Sequence, residues 1–100
     1  MAYPKINVPE KKIKEFCQRY QVQRMALFGS VLRDDFRPDS DIDVLVVFDL
    51  SARTSFMTLG KMKRELSTLF RHSVDLIPQE GLKPAIREAV LSSAQEVYAA

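Results

Sequence analysis

The chain has one cysteine, one histidine, three glycines and no tryptophan in 100 residues. A lone cysteine, Cys17, excludes an intrachain disulfide and a thiolate-rich zinc site, and reads as a small apolar helix residue. Long hydrophobic runs are missing too. The most apolar segment, residues 42–48, is interrupted by Asp43, far short of the roughly 18 apolar residues that span a bilayer, and the N-terminus lacks the basic-then-apolar layout of a signal peptide. These absences predict a cytoplasmic protein with no membrane contact. Charge of one sign is also scarce. The net charge of +2 disfavours a strongly basic nucleic-acid binder. No internal repeat, low-complexity tract or Gly/Ser linker is visible, so residues 1–100 are expected to form a single domain, with no room for a second, substrate-binding one.

What is present is unevenly placed. Six of the seven aspartates fall between Asp34 and Asp49; with Arg37 that segment carries −5, leaving +7 for the rest. An acidic centre in a basic surround suits a site that holds metal ions and attracts polyphosphate. Asp41 and Asp43 open the most β-prone run, Ile42-Asp43-Val44-Leu45-Val46-Val47-Phe48. Side chains two apart on a strand share a face, roughly 6–7 Å apart, so both carboxylates can turn toward one cluster of hard cations. Two charges at the head of a buried strand cost several kcal/mol of desolvation unless a cation offsets them.

Apolar periodicity supplies the frame. Ile13, Phe16, Cys17 and Tyr20 make one helical stripe, followed by a short buried strand from Val22 to Phe28 and a Gly29-Ser30 corner. Val31 to Asp35 allows a turn or two of helix, and Arg37-Pro38-Asp39-Ser40 is turn chemistry ahead of the second strand. Ser51 to Thr54 offers N-caps for a helix carrying Phe56, Leu59, Met62, Leu66 and Leu69. Ser73 to Ile77 is a third strand stopped by Pro78, and Leu82, Ile86, Val90, Ala94 and Val97 mark a last helix. The expected order is αβαβαβα, a small three-stranded mixed sheet with helices packed against it in the α/β (α+β) class; the sequence does not fix which neighbouring strands run parallel.

The chemistry lies in the pattern G-S-x10-D-x-D. A glycine directly after a strand lets backbone approach a ligand, and a serine at a helix start offers its hydroxyl and free N–H groups to phosphate oxygens. Two aspartates can hold Mg²⁺ against those phosphates, since magnesium takes one or two carboxylates plus phosphate oxygens and water. Two-metal transfer calls for a third carboxylate, and Asp75, alone between Val74 and Leu76, is the candidate.

Leu27-Phe28-Gly29-Ser30 to Asp43, followed by Val74-Asp75-Leu76, resembles the nucleotidyltransferase superfamily that includes DNA polymerase beta, and the size resembles its minimal, MNT-type members. The resemblance runs from the strand at Met25 to the closing helix and takes in Arg33, Asp34, Asp35, Ser40 and Asp41. It implies Mg²⁺-dependent transfer of a nucleoside monophosphate from an NTP, with ATP as substrate and two ions. Gly29 and Ser30 would grip the triphosphate, with Arg33 and Ser40 as further nucleotide-binding residues. Asp41 and Asp43 would bind both metals, and Asp75 would ligate the catalytic one and help deprotonate the acceptor. Minimal members accompany HEPN-domain toxins, so the implied role is an antitoxin that moves AMP onto a partner hydroxyl, a tyrosine in studied pairs. The alternatives are a non-catalytic antitoxin that neutralises by binding, or transfer to a small molecule such as an aminoglycoside or to RNA. The acceptor is expected from another chain or across a homo-oligomer interface.

Plainer readings stand beside these. Asp41 and Asp43 also suit a solvated loop-to-strand boundary, Asp75 an edge-strand charge, and Ser30 a helix cap. Arg33 also suits a surface pair with Asp34, Asp35 or Asp39, and His72 a structural role. Lys11, Lys12, Lys14 and Arg19 read as a solvated helix face or as a patch for nucleic acid or an acidic partner.

Overall fold

Ile13, Phe16 and Cys17 recur at helical spacing, and the helix they define, α1 (Glu10–Arg19), buries all three. A computed structural model describes residues 8–32, 36–37, 39–52 and 54–100. Tyr20 completes the stripe as a half-buried ring 4.9 Å from that of Phe16. Gln21, at φ 57, then reverses the chain into β1 (Val22–Phe28). β1 runs antiparallel to β2 (Ile42–Phe48), with Phe28 opposite Asp43 and Val22 opposite Phe48.

The helix α2 (Phe56–Phe70) starts where the Ser55 hydroxyl accepts the Thr58 N–H at 3.2 Å, and it buries Met62, Leu66 and Phe70. Arg71, in the left-handed region at φ 58, ends it and turns the chain into β3 (Val74–Pro78). β3 lies parallel to β2 with Ile42 opposite Val74. A crossover helix is what parallel neighbours require. Because β2 and β3 start at the same end of the sheet, α2 must finish at that end.

One sheet face carries Met25, Leu27, Ile42, Val44, Val46 and Val74, and these join Ile13, Phe16, Cys17, Met62, Leu66 and Phe70 in one buried core. Each such large side chain contributes roughly 1.5–3 kcal/mol by leaving water. Leu45, on the opposite face by strand alternation, is buried outside that core. Ala26, Leu45, Val47 and Leu91 of α3 (Pro84–Ser93) line a small cleft there. Among the described residues no helix is long and apolar enough to cross a membrane.

The α+β class with a mixed sheet holds, and two elements differ from the expectation. Gly29–Leu32 forms a 3-10 turn where the expected Val31–Asp35 helix would begin, and the rest of that expected helix lies outside the described residues. The sheet has four strands in the order β3-β2-β1-β4, because β4 (Gln95–Ala99) occupies the end of the expected last helix and pairs antiparallel with β1. The helical stripe through Ala94 and Val97 loses to a backbone requirement. Without β4, the second edge of β1 would leave a row of N–H and C=O groups unpaired beside the core. Val97 and Tyr98 suit a strand, and Ala94, at ψ 144, already has extended geometry. The Ser92 and Ser93 hydroxyls bond back to the Ala89 carbonyl, a competition that weakens a helix end.

Candidate active site

β1 delivers its last residue, Phe28, opposite Asp43, and the chain then turns through Gly29 at φ +78. A Cβ on Gly29 would stand 2.1 Å from Asp43 Oδ2 and 3.1 Å from its Cγ. Glycine is thus required twice, by the left-handed backbone and by the carboxylate that lies where a side chain would go.

On its other side Asp43 is in register with Asp75 of β3. Neighbouring strands lie about 4.8 Å apart, and matched residues of a parallel pair point to one face. Val74 is buried and Leu76 packs against the core, which leaves Asp75 exposed on the opposite face, beside the half-buried Asp43. Asp41 precedes β2 and is exposed. The Ile42 N–H donates to the Ser73 carbonyl at 2.8 Å, tying the Asp41-Ile42 step to the start of β3.

The remaining candidates support this corner. Ser30 Oγ lies 3.4 Å from the Asp41 carbonyl, a long hydrogen bond that joins the 3-10 turn to the head of β2. Ser40 Oγ accepts the Arg37 N–H at 3.0 Å, and the Ser40 N–H donates to the Arg37 carbonyl at 2.9 Å, so Ser40 closes the turn that leads into Asp41. Arg33, Asp34 and Asp35 lie outside the described residues. His72 packs against Phe36, ring centroids 5.3 Å apart and planes tilted by 43°. Among the described residues no three His, Cys, Asp or Glu side chains converge closely enough, as they stand, to hold a metal ion. Two in-register carboxylates nonetheless match the donor set magnesium takes beside phosphate oxygens.

Sequence reasoning missed Ser67. Its carbonyl accepts the N–H groups of Arg71 and His72, and its hydroxyl accepts the Val74 N–H at 3.1 Å while donating to the Lys63 carbonyl at 2.8 Å. One helical serine therefore fixes the start of β3 one residue before Asp75. Only a contact between helix and strand reveals this, because a serine inside an amphipathic helix carries no such signal. Cys17 is the small buried residue expected, and burial pushes its thiol pKa up to about 12.

Known proteins share this fold. The family model of the nucleotidyltransferase domain matches residues 9–97. The protein adenylyltransferase MntA of Thermococcus cleftensis is 33% identical over 78 residues, covering 78% of this chain and 77% of its own. A Methanocaldococcus jannaschii protein, provisionally named a protein adenylyltransferase, is 30% identical over 92 residues, which is 92% of this chain and 97% of its own. A solved structure described as a minimal nucleotidyltransferase superposes with a TM-score of 0.70 at 34% identity, over 85% of each chain. The fold is shared with a toxin–antitoxin complex solved with AMP-PNP (TM-score 0.72, 20% identity, 92% of this chain and 74% of that one). It is also shared with the MNT antitoxin complex of the tri-AMPylated Shewanella oneidensis HEPN toxin (TM-score 0.65, 18% identity, 91% and 70%). The chain belongs to the nucleotidyltransferase domain family, as a minimal nucleotidyltransferase of the MntA-like protein adenylyltransferase type.

Proposed function

We propose that this nucleotidyltransferase moves AMP from ATP onto a tyrosine hydroxyl of a HEPN-domain toxin and so acts as its antitoxin. The observation that carries the reading is the corner where Asp43, in register with Asp75, fills the space left by Gly29. The T. cleftensis relative is named a protein adenylyltransferase, and structures of the same fold contain HEPN toxins, one of them AMPylated.

In the proposed reaction the tyrosine oxygen attacks the α-phosphorus of ATP. The bond from that phosphorus to the bridging oxygen breaks, pyrophosphate leaves, and the hydroxyl proton passes to the Asp75 carboxylate. Gly29 and Ser30, with Arg33 and Ser40, would hold the triphosphate. Asp41, Asp43 and Asp75 would hold two Mg²⁺ ions, which when bound supply positive charge against the phosphates and favour the ionised acceptor. Asp41 is exposed at the head of β2, from where its carboxylate would turn toward the other two.

Label from α-³²P-ATP should appear on a co-purified HEPN protein with Mg²⁺ present. It should vanish with a chelator, and with the double variant Asp41→Ala, Asp43→Ala. A stable complex that gains no label in any condition would refute the transferase reading and leave neutralisation by binding.

A further inference from the structure

A cleft of about 540 Å³ opens between the first turn of α1 and the last turn of α2, lined by Pro9, Lys12, Thr68, Leu69, Phe70 and Arg71. Nothing in the nucleotide site uses it. It nevertheless lies at the end of the sheet where the carboxylates sit, on the helix-covered side of that end, because α2 finishes where β2 and β3 begin. Arg71 is four residues before Asp75, within about 14 Å by chain length alone.

Two features of the cleft ask for an anionic occupant. Lys12 and Arg71 are both exposed, and neither has an ion-pair partner among the described residues. Arg71 also holds a backbone conformation at φ 58 that glycine would adopt without steric cost. Keeping a cation at that position, facing a second one across a cleft, is accounted for if the side chain has work to do.

We infer that the Lys12–Arg71 cleft docks an acidic, leucine-type segment of the acceptor protein. This rests on the proposed function and deepens it. The accessible apolar part of the lining, Pro9 and Leu69, favours a peptide over a nucleic-acid backbone, which wants an extended cationic track. The location also answers a difficulty of the reaction. An acceptor approaching three carboxylates and a triphosphate gains nothing from its own negative charge at the site, whereas an acidic anchor held by Lys12 and Arg71 steers it in and fixes its orientation.

The test uses the full chain and a fluorescent ten-residue peptide of alternating Glu and Leu, with its Gln-for-Glu counterpart, read by anisotropy. Wild type should prefer the Glu peptide, and Lys12→Glu/Arg71→Glu should weaken its binding about tenfold. The control Lys14→Glu/Arg64→Glu, an equal charge change on the same helices outside the cleft, should leave binding near wild type. Lys12→Gln/Arg71→Gly, which suits the left-handed backbone, guards against a folding defect and should also lose the peptide. Equal weakening by the control pair, undiminished binding in the cleft variants, or a single-stranded RNA that takes the cleft in place of the peptide would each overturn the inference. In the labelling assay the cleft pair should raise KM for the HEPN acceptor and leave KM for ATP unchanged. Cleft-dependent peptide binding without label on any acceptor would uphold the docking site and refute only the transferase reading.

Discussion

Gly29 shows how much of a site a single missing side chain can define. Any larger residue must displace the Asp43 carboxylate and also tolerate φ +78. Gly29→Ala is expected to cost about 1–2 kcal/mol of stability. Transfer should fall about 100-fold, since displacements near 1 Å at reacting groups have that effect. Parallel melts and labelling assays separate the two losses. A variant as active as wild type would show that Asp43 has no fixed position to protect. The glycine was legible in the sequence as a close-approach residue after a strand. What it approaches was not, because the partner lies fourteen residues on and is brought in only by antiparallel pairing.

Among the elements, α1 and α2 are joined at the surface by an ion pair between Arg19 and Glu65. Burial raises the Glu65 carboxyl, but hydrogen bonds from Arg19 and Tyr20 and the Arg19 charge more than offset it and hold it below the ordinary glutamate range. A carboxyl depressed in the folded state contributes stability that is present above its unfolded pKa and lost as pH falls through its folded value. Wild type should therefore melt above Glu65→Gln at neutral pH, and the gap should close on acidification below the usual carboxylate range. A gap that stays constant down to pH 3 would rule the pair out as its source. The three amphipathic helices and three of the strands follow from local periodicity, which is why they could be read from the sequence. β4 could not, since its competitor was a helical stripe of equal quality and the deciding factor, the open edge of β1, is a property of the assembled sheet.

At the scale of the whole molecule, chemistry and exposed apolar surface sit at opposite ends. The carboxylates gather where β2 and β3 begin. Leu50, Phe56 and Met57, 85–103% exposed, follow the far end of β2 and open α2. Side chains this exposed contribute little to folding. Phe56→Ser/Met57→Ser should leave the melting free energy within about 0.5 kcal/mol of wild type. A larger drop in a urea titration would mean these residues pack against something in solution. The candidate acidic residues were readable in the sequence as a pattern of types and spacings, and the parallel register puts two of them, Asp43 and Asp75, on one face. The placement of Lys12 beside Arg71 was not, because it depends on how two helices end relative to one another.

The in-register aspartates carry one more implication. Like charges on adjacent strands repel, so a protein built for stability alone would not match Asp43 with Asp75. That repulsion falls at the mouth of the sheet, where a bound cation would lower it. Removing either charge would remove the repulsion between the two strands. The register that costs the fold this repulsion is the same one that sets two carboxylates side by side for the proposed chemistry.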